Sequence, residues 1–173
     1  RLAVARSVAP AEADAWRGLV LYLLWLRYED DLWRLIEPEG AVDVSRSPVA
    51  FYDRFAADVH DLLGRLRGPP PDTPHLFAVA SQARRAFHHI FRRIFGGSSP
   101  AATLRARIWT AIFSKDLAGY RRSSFRRMHD TPVLITGASG TGKDLVARAV
   151  AYSQYVPFDP ESRTFAADPY ASY

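Results

Sequence analysis

Apolar residues recur at steps of three and four positions through most of the chain, which is the spacing of one face of an α-helix. Ser47-Pro48 and Thr73-Pro74 are typical helix starts, and segments rich in proline and glycine separate the apolar runs. The predicted helices cover residues 11–36, 47–67, 73–95 and a stretch from 101 onward. We therefore expect an all-α unit over residues 1–129.

The pattern changes after residue 130. Residues 133–136 form a short apolar run typical of a β-strand, and residues 144–152 have helical spacing, with a glycine-rich turn between them. Residues 157–162 have the composition of a loop, followed at most by a short extended piece near residues 163–166. The predicted fold class is a mainly α N-terminal unit followed, over residues 130–173, by the truncated start of an α/β P-loop domain. A lone parallel strand lacks neighbours to cover its faces, so residues after about 130 are expected to be loosely held.

Composition narrows the function classes. The 173 residues are 48% hydrophobic and contain no cysteine, which excludes disulfides and thiolate metal sites and favours a reducing cytoplasm. The longest apolar run, residues 19–26, is far shorter than the roughly 18 residues that span a bilayer, so no membrane association is predicted. The net charge of +5 comes mainly from arginine, as in many GC-rich genomes, and does not indicate nucleic-acid binding by itself. Because the chain starts at Arg1 and ends at Tyr173, we expect it to be a fragment.

One motif carries chemistry. Residues 137–143 fit the pattern G-x-x-x-x-G-K, with an apolar run before it and a helical run after it. Glycines let the backbone wrap around a phosphate, the following helix presents its positive end, and lysine adds a mobile charge near the β- and γ-phosphates. Asp144 occupies the position where P-loops usually place Ser or Thr to hold Mg²⁺. The predicted nucleotide-binding residues are Gly137, Ala138, Ser139, Gly140, Thr141, Gly142, Lys143 and Asp144.

Two other interpretations of this segment stay open. The run Val-Leu-Ile-Thr-Gly-Ala-Ser-Gly is similar to the NAD(P)-binding turn of short-chain dehydrogenases, which would make the protein an oxidoreductase. Lys143 argues against that interpretation, because a glycine is expected there for close packing of the helix against the strand. In the third interpretation the chain is a helical interaction module and the P-loop-like turn is incidental.

From about residue 112 onward the chain resembles the sigma-54-dependent transcription activators, a branch of the AAA+ ATPases. Their P-loop typically reads Gly-Glu-Ser-Gly-Thr-Gly-Lys-Glu followed by Leu-Val-Ala-Arg-Ala. Residues 139–143 and 145–149 agree with this pattern throughout, and Asp144 keeps its acidic character, whereas Ala138 replaces the usual glutamate. Asp144 thus becomes a mark of the family.

The resemblance implies a cytoplasmic ATPase that uses ATP and Mg²⁺, assembles as a ring and remodels RNA polymerase bound to sigma-54. Residues 130–173 would begin the sigma-54 interaction domain, and promoter-upstream DNA would be bound by a C-terminal domain that this sequence lacks. The acidic Walker B strand, the loop that touches sigma-54 and the arginine finger are also absent from the 173 residues. We therefore predict no catalytic residue and no turnover in this chain, although the full-length protein would be an enzyme.

Three further clusters have simpler explanations. Residues 84–93 alternate basic pairs with apolar residues, and a solvated positive face over an aromatic core is favoured over a nucleic-acid or ligand site. Within them, adjacent His88 and His89 point about 100° apart on a helix and cannot chelate one metal as an i, i+4 pair would. Residues 29–31 form a solvated acidic face, and the basic stretch 120–127 is assigned to a linker helix.

Overall fold

The computed structural model describes residues 10–36, 44–64, 70–113 and 132–171, of which residues 10–12 and 14 are described by their backbone only. Helices dominate the described part of the chain, so the expectation of a mainly α protein is confirmed. The helices are α1 (Pro10–Arg27), α2 (Glu29–Arg34), α3 (Tyr52–Leu63), α4 (Thr73–Phe87), α5 (Ser99–Phe113) and α6 (Lys143–Ala151). A π-helical turn, His88–Arg92, extends α4, and two short strands follow α6: β1 (Phe158–Asp159) and β2 (Thr164–Phe165).

Two predicted helix starts have different outcomes in the structure. The carboxylate of Asp72 accepts a hydrogen bond from the backbone N–H of His75 at 3.0 Å, and Pro74 lies in the first turn, so α4 begins at Thr73 as predicted. The predicted start of the second helix at Ser47 is wrong. Helix α3 begins at Tyr52 instead, and the backbone before it bonds to the segment after α6: the N–H of Val49 donates to the carbonyl of Arg163 at 2.8 Å.

The single helix predicted over residues 11–36 is interrupted at Tyr28, which has φ −103° and ψ 17°. The Tyr28 ring is fully buried, with its centroid 5.9 Å from that of Phe51 and 5.3 Å from that of Phe55 on the α3 side. These aromatic contacts stabilise the non-helical backbone at Tyr28, while the hydrogen bonds from Tyr28 N–H to the Leu24 carbonyl and from Leu32 N–H to the Tyr28 carbonyl continue across it. The chain therefore bends at Tyr28 and continues as α2.

The largest hydrophobic cluster is built around Phe77 of α4. Its ring is completely buried and lies 4.6 Å from Phe158 and 5.9 Å from Phe165, centroid to centroid. The buried members of this cluster from the first three helices include Val20, Leu24, Leu32, Phe55, Val59 and Leu63. Residues that follow α6 thus complete the core of the N-terminal helices.

The strands β1 and β2 form an antiparallel hairpin in which Phe158 pairs with Phe165. Its turn is closed by Asp159, whose carboxylate accepts the hydroxyl of Ser162 at 2.6 Å and the N–H of Glu161 at 3.0 Å. The hydrogen bond from the Ser162 hydroxyl has the largest effect in lowering the pKa of Asp159, and that from the Glu161 N–H adds to it. The extended piece predicted near residues 163–166 is confirmed. The expected loosening after residue 130 is wrong for this hairpin, because its phenylalanines are buried under α4.

A second hydrophobic cluster fixes α6. Ala149 is buried against Ile90 of the π-helical turn and against Ile108 and Ile112 of α5, and Val146 and Val150 pack at its edge. The cluster places α6 beside the end of α4, so the segment after the glycine-rich turn has a defined position in the fold.

No helix in the described ranges is long and apolar enough to cross a membrane. The predicted boundary between residues 129 and 130 lies outside those ranges, as does the predicted linker stretch 120–127.

Candidate functional site

The glycine-rich turn joins residues 132–136 to the N-terminus of α6. Gly140 and Gly142 have φ values of 76° and 77°, a left-handed backbone that costs an L-residue with a side chain roughly 1–2 kcal/mol. Gly142 is also the N-cap of α6 and provides no side chain to cap the helix. The N–H of Leu145 donates to the carbonyl of Gly142 at 3.1 Å, so among the described contacts the N–H groups of Lys143 and Asp144 are left for an external acceptor, which is the usual arrangement for anion binding.

Lys143 folds back over the turn. Its ammonium donates hydrogen bonds to the carbonyl oxygens of Gly137 at 3.0 Å and Ala138 at 2.6 Å. The hydroxyl of Thr141 donates to the same Ala138 carbonyl at 2.8 Å. These bonds close the loop onto itself and hold a full positive charge beside the positive end of α6.

The predicted site residues lie together on this loop and the first turn of α6. Residues 137–141 are solvent-exposed, and Lys143 and Gly142 are half-buried. Asp144 is exposed in the first turn, where its negative charge is favoured by the helix dipole. Among the described residues no group of three His, Asp or Glu side chains is close enough to hold a metal ion. Asp144 is thus the carboxylate nearest in sequence to the loop.

The predicted strand at residues 133–136 is not paired. These residues have no partner strand in the described part of the chain, and the side chain of Leu134 is 89% exposed. A P-loop strand normally lies in a parallel sheet that is covered by helices on both faces. The described ranges contain only the β1–β2 hairpin, which is antiparallel and packs elsewhere.

The opposite end of α6 is held by buried polar groups of α4. The guanidinium of Arg85 donates to the carbonyls of Tyr152 at 3.1 Å and Gln154 at 2.9 Å, and to the hydroxyl of Ser81 at 3.0 Å. The amide of Gln82 donates to the carbonyl of Ser153 at 2.8 Å. Carbonyls at a helix C-terminus lack partners within the helix, and here α4 supplies them. The cation also lies at the negative end of the α6 dipole.

The solvated positive face expected for residues 84–93 is wrong at its first half. Arg84 and Arg85 are buried, whereas the aromatic rings of Phe87 and Phe91 are exposed. Arg84 pairs with Glu29 at 2.9 Å and stacks on Trp33, its guanidinium carbon 4.8 Å from the ring centroid. Both guanidinium groups point inward, that of Arg85 toward backbone carbonyls and that of Arg84 toward a carboxylate and indole rings.

The histidines and the acidic stretch also have defined partners. The rings of His88 and His89 are perpendicular, with His88 against Trp33 and His89 against Tyr152. In the acidic stretch 29–31, Glu29 meets Arg84 and Asp31 meets Arg34 at 2.9 Å and also Arg54. The solvated acidic face expected for residues 29–31 is therefore confirmed only in part: Asp30 is exposed, whereas Glu29 and Asp31 are half-buried in ion pairs.

Sequence reasoning missed Gln82 and Arg85 as the groups that position α6. The available signal was their spacing: Gln82, Arg85 and His89 recur at three and four residues, on the same side of α4 as the buried Ala78 and Ala86. A polar stripe inside an apolar face indicates buried carbonyl partners.

Comparison of the chain with protein-family models, with curated proteins and with solved structures finds no match.

Proposed function

We propose that this chain binds the phosphates of ATP at the loop formed by residues 137–144. The observation that carries the proposal is the closed loop itself: Gly140 and Gly142 turn the backbone, and Lys143 covers the loop carbonyls at the start of α6. A phosphate group offers the ammonium stronger, charged acceptors than the two carbonyls it now contacts.

Each residue has a distinct part in this proposal. Backbone N–H groups of residues 140–143 would donate to phosphate oxygens, and the ammonium of Lys143 would balance their charge. Mg²⁺ usually keeps several water ligands and is bound by one or two carboxylates plus phosphate oxygens. Asp144 would take the carboxylate part, directly or through water, in place of the usual hydroxyl.

From the resemblance at residues 139–149 we also propose a biological role for the ATP site. In a protein where a complete AAA+ module follows these residues, ATP hydrolysis would drive activation of sigma-54 RNA polymerase by a ring of identical subunits at promoter-upstream DNA. Residues 1–129 would then be its regulatory region. Gene sequence beyond residue 173 tests this: we expect an acidic Walker B strand and later a helix-turn-helix, and their absence would contradict it.

Binding of a fluorescent ATP analogue to the 173-residue chain tests the site itself. We expect Lys143→Ala to weaken binding at least tenfold, about 1.4 kcal/mol. Arg107→Ala is the matched control, since Arg107 is an exposed cation on α5, and it should bind like wild type. Equal binding by wild type and Lys143→Ala, or no binding by either, would overturn the ATP proposal. NADPH binding with the same affinity in wild type and in Lys143→Ala would instead support the dehydrogenase interpretation.

A further inference from the structure

Helix α1 has two apolar faces, whereas a helix on the surface of a globular domain normally has one. One face is buried in the main cluster through Val20, Leu24 and, at the end of the helix, Tyr28. The other face points to solvent. It consists of five side chains that are 42–59% exposed, and we name it the outer face of α1: Trp16, Leu19, Tyr22, Leu23 and Leu26.

The spacing on the outer face is that of a coiled-coil seam. Trp16, Leu19, Leu23 and Leu26 follow steps of three, four and three residues, which are the a and d positions of two heptads. Such a seam is complementary to itself, because two copies related by a two-fold axis present the same knobs and holes to each other.

The outer face is also fixed in shape. The indole N–H of Trp16 donates to the carbonyl of Leu62 at 3.2 Å, which ties this ring to the end of α3. The buried face of α1 holds the helix against α3 and α4. Side chains that are ordered before association lose less entropy when a partner binds.

The apolar surface continues beyond α1. Trp25 lies three residues after Tyr22, so the two are neighbours on the helix surface. Its ring contacts Phe87, with centroids 6.0 Å apart, and Phe87 stacks on Phe91 at 4.8 Å. Both phenylalanines are partly exposed. The exposed parts of the five outer-face residues alone come to about 500 Å² per copy, so two copies would bury about 1,000 Å², the lower limit for a specific interface, before the neighbouring aromatic rings are added.

We propose that the outer face of α1 is the interface of a two-fold symmetric dimer of this chain. None of the five outer-face residues is charged, and the flanking Arg27 is paired with Asp58 at 3.2 Å, so two copies that each carry a net charge of +5 meet there without an unpaired like charge. A lipid surface is disfavoured as the occupant. Helices that lie on membranes combine an apolar face with a polar face rich in Lys and Arg, but the opposite face of α1 is buried in the core.

Sedimentation velocity of the 173-residue chain tests the dimer. At about 100 µM we expect wild type to sediment at twice the monomer mass of 19.4 kDa, and the double variant Leu19→Glu, Leu23→Glu to weaken dimerisation at least about a hundredfold. Leu104→Glu is the control, because Leu104 is a partly exposed leucine on α5 and the same type of substitution is made there. This control should remain a dimer.

A wild-type chain that is monomeric at this concentration would overturn the proposal, and so would a double variant that dimerises like wild type. Circular dichroism melts of all three proteins establish that each is folded. If wild type is monomeric and also binds vesicles of phosphatidylcholine and phosphatidylserine through Leu19 and Leu23, the outer face contacts lipid and the dimer is excluded.

Discussion

The two ends of α6 have opposite surroundings. At its C-terminal end, Arg85 and Gln82 donate buried hydrogen bonds to the carbonyls of Tyr152, Ser153 and Gln154. At its N-terminal end the loop 137–142 is exposed, and the hydrogen bonds described there join the loop to itself. We call the buried, hydrogen-bonded C-terminal end of α6 its anchored end, and the exposed loop at its N-terminus the open side.

The difference separates stability from binding. Buried polar groups are costly to leave without partners, so changes at the anchored end should lower the free energy of unfolding. Exposed groups lose little when they are changed, so the loop is free to serve a ligand. This division of labour agrees with a site that is built on a fixed scaffold.

The largest loss of stability is expected from Phe77→Ala, in the core to which Phe158 and Phe165, after α6, contribute. This ring is fully buried among Phe55, Phe158 and Phe165, and its loss should lower the free energy of unfolding by about 3–5 kcal/mol in urea titrations. The control Phe95→Ala removes a ring that is 83% exposed and should change stability by less than about 0.5 kcal/mol. Similar losses in both variants would show that the core is not centred on Phe77.

Arg85→Ala should have the next largest effect. Arg85 is 2% exposed, and its removal leaves the carbonyls of Tyr152 and Gln154 without these donors. We expect a loss of roughly 2–4 kcal/mol, measured by denaturant unfolding, because buried acceptors lose their partners. Arg107→Ala, which changes an exposed arginine, is the control. A loss below about 0.5 kcal/mol would mean that Arg85 does not anchor α6.

Tyr28 gives the stability of the main core a pH dependence. Burial, followed by the hydrogen bond that its hydroxyl donates to Asp58, raises the pKa of Tyr28 from 10.0 to about 12. Between these values the unfolded chain binds fewer protons than the folded protein, so the free energy of unfolding falls as pH rises from about 10 to 12. In urea titrations across this range, Tyr28→Phe should show a shallower fall in stability than wild type. An unchanged slope in Tyr28→Phe would contradict the assignment.

The smallest effect on stability is expected at the open side. Leu134→Ala and Lys143→Ala alter exposed or loop positions and should each change the free energy of unfolding by less than about 0.5 kcal/mol, measured by thermal and urea melts. A loss near 2 kcal/mol in either variant would show that the loop is part of the stabilising core and would remove the contrast between the ends of α6.

Sequence reasoning predicted what local chemistry controls. Asp72, Thr73 and Pro74 set the start of α4, and the glycines before Lys143 predicted a tight turn that leads into a helix. It failed where distant groups decide the outcome. Arg84 and Arg85 look solvated in sequence because their acceptors, Glu29 and the carbonyls after α6, lie more than 50 residues away along the chain.

The prediction of a strand at residues 133–136 failed for a related reason. A β-type composition specifies a strand only where a neighbouring strand supplies hydrogen bonds, and the described ranges provide none for it. Phe158 and Phe165 show the converse. A segment with loop composition became part of the core because two aromatic rings found a pocket against Phe77.

Hydrogen exchange with and without a non-hydrolysable ATP analogue shows directly whether residues 137–144 bind the phosphates of ATP. We predict slower exchange of the backbone N–H groups of residues 140–143 when the analogue and Mg²⁺ are added, with little change in α4. Lys143→Ala should lose this protection. Unchanged exchange in the loop at saturating analogue, or protection confined to other parts of the chain, would contradict a phosphate-binding role for the loop.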